Sequence, residues 1–121
     1  MENVIREVMP KNMKDIRVDI EEFITLYNEG KAELIDVRIK PEIAIWQMNF
    51  GLQIPTHELP DRLEELPKDK ELVVACQYSD RSNMARFYLA SKGYKVRYLS
   101  PGLFALMERL KGGKSKDIKP R

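Results

Sequence analysis

The sequence predicts an α/β domain built on a mostly parallel central sheet, and three observations carry that expectation. Two short runs, Leu34-Ile35-Asp36-Val37 and Leu72-Val73-Val74-Ala75, are apolar almost throughout. Strands of that kind are covered on both faces, as in parallel sheets. Strand-like and helix-like stretches alternate along the chain, which is the order of a layered α/β fold. The 121 residues, 43% hydrophobic and 33% charged, suit one domain with a single core and a charged surface.

In chain order, residues 1–15 form an N-terminal arm of open structure. Val4, Ile5, Val8 and Met9 fit a helical turn or an extended segment, and Pro10 interrupts both. Ile16-Arg17-Val18 reads as a short strand. Asp19 is an N-cap candidate followed by Glu21 and Glu22, and Ile20, Phe23, Ile24 and Tyr27 share one helical face, so a helix is expected over about 20–29. Gly30 stands where a left-handed C-terminal cap belongs. The strand at 33–38 then completes a βαβ unit. Pro41 to Phe50 reads as a short helix and a loop. Gly51-Leu52-Gln53-Ile54-Pro55 reads as a short strand, and Leu59 to Leu66 as a helix closed by Pro67. The strand at 72–75 is followed by a helix beginning at Ser82 and stopped by Gly93, a strand at 96–99, and a last helix at 103–110. The domain is thus placed at 16–111, with 112–121 as a disordered basic tail.

Several function classes are set aside by composition. A net charge of +2 does not suggest nucleic-acid binding. One cysteine excludes an internal disulfide, and one cysteine with one histidine leaves little for a metal site, so neither metal nor cofactor is expected. The early acids of Met1-Glu2-Asn3-Val4 do not fit a signal peptide, and no apolar run is long enough to span a membrane. A cytoplasmic protein with a free thiol is the expectation.

That thiol carries the chemistry. The run Val73-Val74-Ala75 ends in Cys76, and Gln77, Tyr78, Ser79, Asp80 and Arg81 separate it from the helix expected at Ser82. A cysteine between a strand end and a helix start lies near backbone N–H groups that favour a thiolate or a bound anion. In open parallel sheets, sites lie beyond the carboxyl ends of the strands, where Cys76 falls. Read alone, a single cysteine after a buried strand is more often an inert small hydrophobe.

The order Leu34-Ile35-Asp36-Val37-Arg38, Ile54-Pro55, Arg62-Leu63, Leu66-Pro67-Lys68-Asp69-Lys70, Val73-Val74-Ala75-Cys76, Arg81-Ser82 and Gly93-Tyr94 resembles the single-domain rhodanese (sulfurtransferase) family over residues 16–110. The resemblance implies a three-layer α/β/α fold and a cysteine that cycles through a persulfide. It assigns the sulfur-carrying nucleophile to Cys76, a loop whose amides point at the sulfur to Gln77–Arg81, and the terminal basic residue to Arg81. The implied reaction moves a sulfane sulfur from a small sulfur-containing anion such as thiosulfate, or from polysulfide, to a thiol, cyanide or a protein cysteine. The related cell-cycle phosphatases have a loop one residue longer. The alternative is a rhodanese-like binding or regulatory module with little turnover, and a homodimer is left open. The sequence departs from the family pattern at Ser79, where glycine is usual, and at Asp80, which adds a negative charge to an anion-stabilising loop. A backbone with positive φ at Ser79 would be strained.

The remaining candidates have plainer readings. Ser82 reads as a helix N-cap and Asp36 as a hydrogen-bonding support for neighbouring loops. Arg38 could reach the pocket, and Tyr78 could shape its mouth. His57 reads as an exposed loop residue, and Arg86 as part of a solvated helix face. Trp46, Phe50, Tyr88 and Phe104 read mainly as core.

Overall fold

The computed structural model describes residues 15–119 together with Glu2 and Arg6. Most of the arm at 1–15 therefore lies outside the described residues. Five strands form one parallel sheet in the order β1-β5-β4-β2-β3. They are β1 (Arg17–Val18), β2 (Ala32–Asp36), β3 (Leu52–Gln53), β4 (Glu71–Ala75) and β5 (Val96–Leu99). Three helices lie between strands, α1 (Ile20–Asn28), α2 (Lys40–Ile45) and α3 (Asp80–Ser91), and α4 (Leu103–Leu110) follows β5. The α/β expectation holds, and every pairing is parallel.

The apolar runs explain the layering. Successive strand residues point to opposite faces. In β4, Leu72 and Val74 join Cys76 in a core covered by Ala85 and Leu89 of α3, with Leu59 and Leu66 beside them. Val73 and Ala75 face the other way, onto Phe23, Ile24 and Tyr27 of α1 and Leu103, Leu106 and Leu110 of α4. A strand with a helix layer on each side has no solvent face, so all five residues of β4 are buried.

Four expectations need correction. The strand–helix–strand unit at 16–38 exists, but β1 and β2 are not neighbours, because β5 and β4 lie between them. Leu59 to Leu66 is two 3-10 segments, Thr56–Asp61 and Leu63–Glu65, rather than one α-helix. Pro60 lacks an amide donor there, and Leu59 and Leu66 are buried without it. The helix after the cysteine starts at Asp80, two residues before Ser82, because Ser79 O accepts the first intrahelical bond from Asn83 N at 3.1 Å. The segment 112–119 is ordered rather than disordered. Gly112–Asp117 forms a 3-10 segment, Asn28 Nδ2 donates to Asp117 O at 2.9 Å, and Ile118 is buried against the α1/α4 layer.

Parallel strands bring their carboxyl ends to one edge. Asp36 pairs with both Ala75 and Gln53, so the segments leaving β2, β3 and β4 emerge side by side. Val37 N donates to Ala75 O at 2.9 Å and Thr56 N to Val37 O at 3.1 Å, which carries the register past the strand ends. Cys76 is the first residue beyond β4 at this edge.

Candidate active site

Cys76 is fully buried, and its sulfur is reached from three directions by its own loop. The Ser82 amide donates to Sγ at 3.3 Å. The thiol donates to Tyr78 O at 3.0 Å and approaches Asp80 Oδ1 at 3.7 Å. The sulfur thus lies against the first turn of the twelve-residue helix α3, where the helix dipole favours negative charge. Ser82 does not cap the helix with its side chain. It is buried, its Oγ donates to Ser79 O at 3.1 Å, and its amide is the group that meets the sulfur.

Ser79 has φ −121°, and no non-glycine residue among those described has positive φ. The missing glycine therefore causes no strain. Asp80 turns inward toward the thiol, although it is exposed to solvent. The backbone N–H groups of Arg81 and of Asp80 itself hold its carboxylate below the usual aspartate range, with smaller help from Cys76 and Arg81. The carboxylate thus lies at the N-terminus of α3, beside the thiol.

Arg81 is engaged as well. Its guanidinium makes a two-pronged pair with Glu42 of α2, Nη1 to Oε1 and Nη2 to Oε2, the second at 2.9 Å. The hydrogen bonds from Arg81 lower the Glu42 carboxyl below its ordinary value, and Glu42 in turn raises Arg81. Glu42 Oε1 also accepts from Ile39 N at 3.2 Å, which ties it to the start of its own helix. The sequence reading did not single out Glu42. Its partner is 39 positions away, and an acid in the first turn of a short helix looks like ordinary surface charge.

Two further sets of contacts lie at this edge of the sheet. Asp36 accepts from the backbone N, Nε and Nη2 of Arg38, with Nη2 to Oδ2 at 2.8 Å. The Arg38 guanidinium lies over the Trp46 ring at 4.3 Å and donates from Nη2 to Trp46 O at 2.9 Å. Arg38 is wholly buried, and this pair joins the end of β2 to the segment after α2. The second set comes from the start of α4. Leu103 N donates to Cys76 O at 2.8 Å and Phe104 N to Gln77 O at 3.3 Å. Gly102 makes this approach possible, since a Cβ there would come within 2.4 Å of Tyr78 O and 2.5 Å of Gln77 O. No motif in the sequence announces this clamp.

The other candidates separate clearly. Tyr78 projects from the loop with 63% exposure. His57 is exposed beside Glu58, away from the loop contacts just described. Arg86 is buried, contrary to the solvated-face reading. Its Nε donates to Asn83 Oδ1 at 3.2 Å and its guanidinium lies 4.4 Å from the Phe87 ring centre. The long side chain lets a charged residue sit in an otherwise covered position. Trp46 and Phe50 pack on the α1/α4 layer, with Phe50 5.0 Å from Tyr27, and neither is among the groups contacting Cys76 Sγ. No cluster of metal-ligating side chains occurs among the described residues.

The site is a buried cysteine at the carboxyl edge of a parallel α/β/α sheet, followed by a tight strand-to-helix loop. The chain belongs to the rhodanese-like domain family, whose model matches residues 19–109. Among relatives, it is 40% identical over 73 residues to a sulfurtransferase of Allochromatium vinosum, covering 60% of this chain and 68% of that protein. It is 30% identical over 90 residues to the thiosulfate sulfurtransferase GlpE of Pseudomonas syringae, covering 74% and 84%. The human single-domain sulfurtransferase TSTD1 superposes with a TM-score of 0.69 at 28% identity, covering 77% of this chain and 96% of that one. The CoADR-RHD structure of Bacillus anthracis gives 0.71 at 35% identity over 78% of this chain, but only 17% of that much longer chain is spanned. The protein is accordingly a sulfurtransferase of the rhodanese type.

Proposed function

We propose that Cys76 carries the transferred sulfur as a persulfide. The Cys76 thiolate attacks the outer sulfur of a donor such as thiosulfate or polysulfide. A new S–S bond forms on Cys76, the donor's S–S bond breaks, and sulfite or the shortened polysulfide leaves with the bonding pair. An acceptor nucleophile (cyanide, a thiol or a protein cysteine) then attacks the outer sulfur and returns Cys76 as thiolate. No electron enters or leaves from outside, and no metal takes part.

The observation that supports this reading is the Ser82 amide directed at Sγ from the first turn of α3. A preorganised N–H donor stabilises charge as it develops on sulfur, in the manner of an oxyanion hole. Gln77, Tyr78, Ser79, Asp80 and Arg81 shape the loop, and Asp36 with Arg38 braces it. A binding module without turnover has no observation in its favour. Among the described residues no helix is long and apolar enough to cross a membrane. A free thiol as nucleophile suits the reducing cytoplasm, where we place the reaction. The test is intact mass after incubation with thiosulfate or polysulfide. One sulfur atom is gained, and the gain disappears in Cys76→Ser.

A further inference from the structure

We propose that Asp80 selects the sulfur acceptor by charge, so that the sulfur held on Cys76 passes to a small thiol bearing an ammonium group in preference to an anionic thiol. The proposal rests on Cys76 as the sulfur carrier and names what collects the sulfur.

Among the described residues three polar groups meet Cys76 Sγ, and one of them is a donor. That donor is the Ser82 amide at 3.3 Å, and Ser82 is buried. The other two are oxygen acceptors, Tyr78 O at 3.0 Å and Asp80 Oδ1 at 3.7 Å. Cys76 itself is buried, whereas Tyr78 and Asp80 are the exposed members of its loop. A reactant arriving from solvent therefore passes these two side chains, and Asp80 is the charged one. An aspartate is ionised at neutral pH.

The cation that could offset this charge is engaged elsewhere. Arg81, the one cation of the loop, gives both terminal nitrogens to Glu42. Asp80 takes part in no salt bridge among the described residues. Arg38 is matched by Asp36. Glu42, Arg81 and Asp80 together carry one net negative charge, and the carboxylate left unmatched is the one at the sulfur.

Sulfur transfer brings that carboxylate into play. The outer sulfur of a Cys76 persulfide sits about 2 Å from Sγ, so in any direction it lies within about 6 Å of Asp80 Oδ1. The acceptor thiolate attacks this outer sulfur. A new S–S bond forms on the acceptor, the bond to Cys76 breaks, and its electron pair stays on Sγ as thiolate. Negative charge enters with the acceptor and ends on Sγ, close to Asp80 throughout. An ammonium group two carbons from the attacking sulfur offsets it, and a carboxylate in the same place adds to it.

The experiment loads the protein with one sulfur from polysulfide, removes excess donor, and follows the return to the unloaded mass. The acceptors are cysteamine, 2-mercaptoethanol and mercaptoacetate, short thiols that differ in charge. Their intrinsic reactivities differ, so the readout is the cysteamine-to-mercaptoacetate rate ratio compared between wild type and variants. The ratio falls by about tenfold in Asp80→Asn, the scale of an exposed charge contact counted once as attraction and once as repulsion. Asp80→Glu keeps most of the wild-type ratio. High salt narrows the wild-type ratio more than that of Asp80→Asn. A merely structural Asp80 slows all three acceptors alike in Asp80→Asn. That result, or a ratio equal in wild type and Asp80→Asn, overturns the proposal and leaves Cys76 as the carrier. A protein that takes up no sulfur from polysulfide overturns the carrier reading and this proposal with it.

Discussion

Gly102 shows how much of the site depends on one absent side chain. Its φ is +138°, and its Cα packs against the backbone of Gln77 and Tyr78, where a methyl group has no room. Gly102→Ala is expected to lower stability by more than about 1 kcal/mol, because both the backbone conformation and the close approach are lost. Sulfur loading of Cys76 should fall with it, since the clamp from Leu103 and Phe104 to the loop carbonyls opens. Chemical denaturation and loading rate check the two effects. Ser79 is the converse case. The resemblance marked it as a departure, but the loop takes an ordinary negative φ there, so serine fits without cost. At this scale Cys76, Asp80 and Arg81 were legible from sequence, because a thiol between an apolar strand and a helix start is a local pattern. The direction of the Asp80 carboxylate was not, since it depends on which amides the folded loop leaves open.

Elements are joined at the site by pairs of charges. Asp36 and Arg38 link the end of β2 to the segment after α2, and Glu42 with Arg81 links α2 to α3. These pairs differ in burial and therefore in worth. The first is almost completely shielded from water. Asp36→Ala leaves the Arg38 guanidinium buried without its carboxylate, at an expected cost of about 3–5 kcal/mol. Asp36→Asn with Arg38→Met, which removes both charges, should recover much of that loss, and denaturant midpoints measure the difference. The second pair is about one-third exposed on each side, and its contribution to stability is screened by solvent. Its consequence lies in where it holds Arg81. Asp36-Val37-Arg38 was readable because it abuts a strand whose burial is plain from sequence. Glu42 escaped because its partner is distant along the chain and only the folded sheet edge brings α2 to α3. Arg86 escaped for a different reason, as its burial depends on stacking with Phe87 and bonding to Asn83 rather than on any apolar periodicity.

For the whole molecule, the alternation of apolar strands and amphipathic helices was enough to predict a parallel α/β domain. The neighbours in the sheet were not legible, because strand order depends on long-range packing that local patterns do not encode. The same limit explains the C-terminal segment. Lys114, Lys116 and the paired glycines read as a solvated tail, yet Arg109 reaches Asp117, Asn28 caps the segment, and Ile118 fills a place beside α1 and α4. Ile118→Ala should therefore cost about 2 kcal/mol, a loss that a truly disordered residue would not show, and thermal unfolding checks it. The central claim is that this fold exists to hold Cys76 as a sulfur carrier at the carboxyl edge of its sheet. Intact mass after exposure to sulfane sulfur donors tests it most directly. The account predicts a gain of one sulfur atom that cyanide or thiol removes and that Cys76→Ser abolishes. An unchanged mass with thiosulfate and polysulfide alike would contradict it.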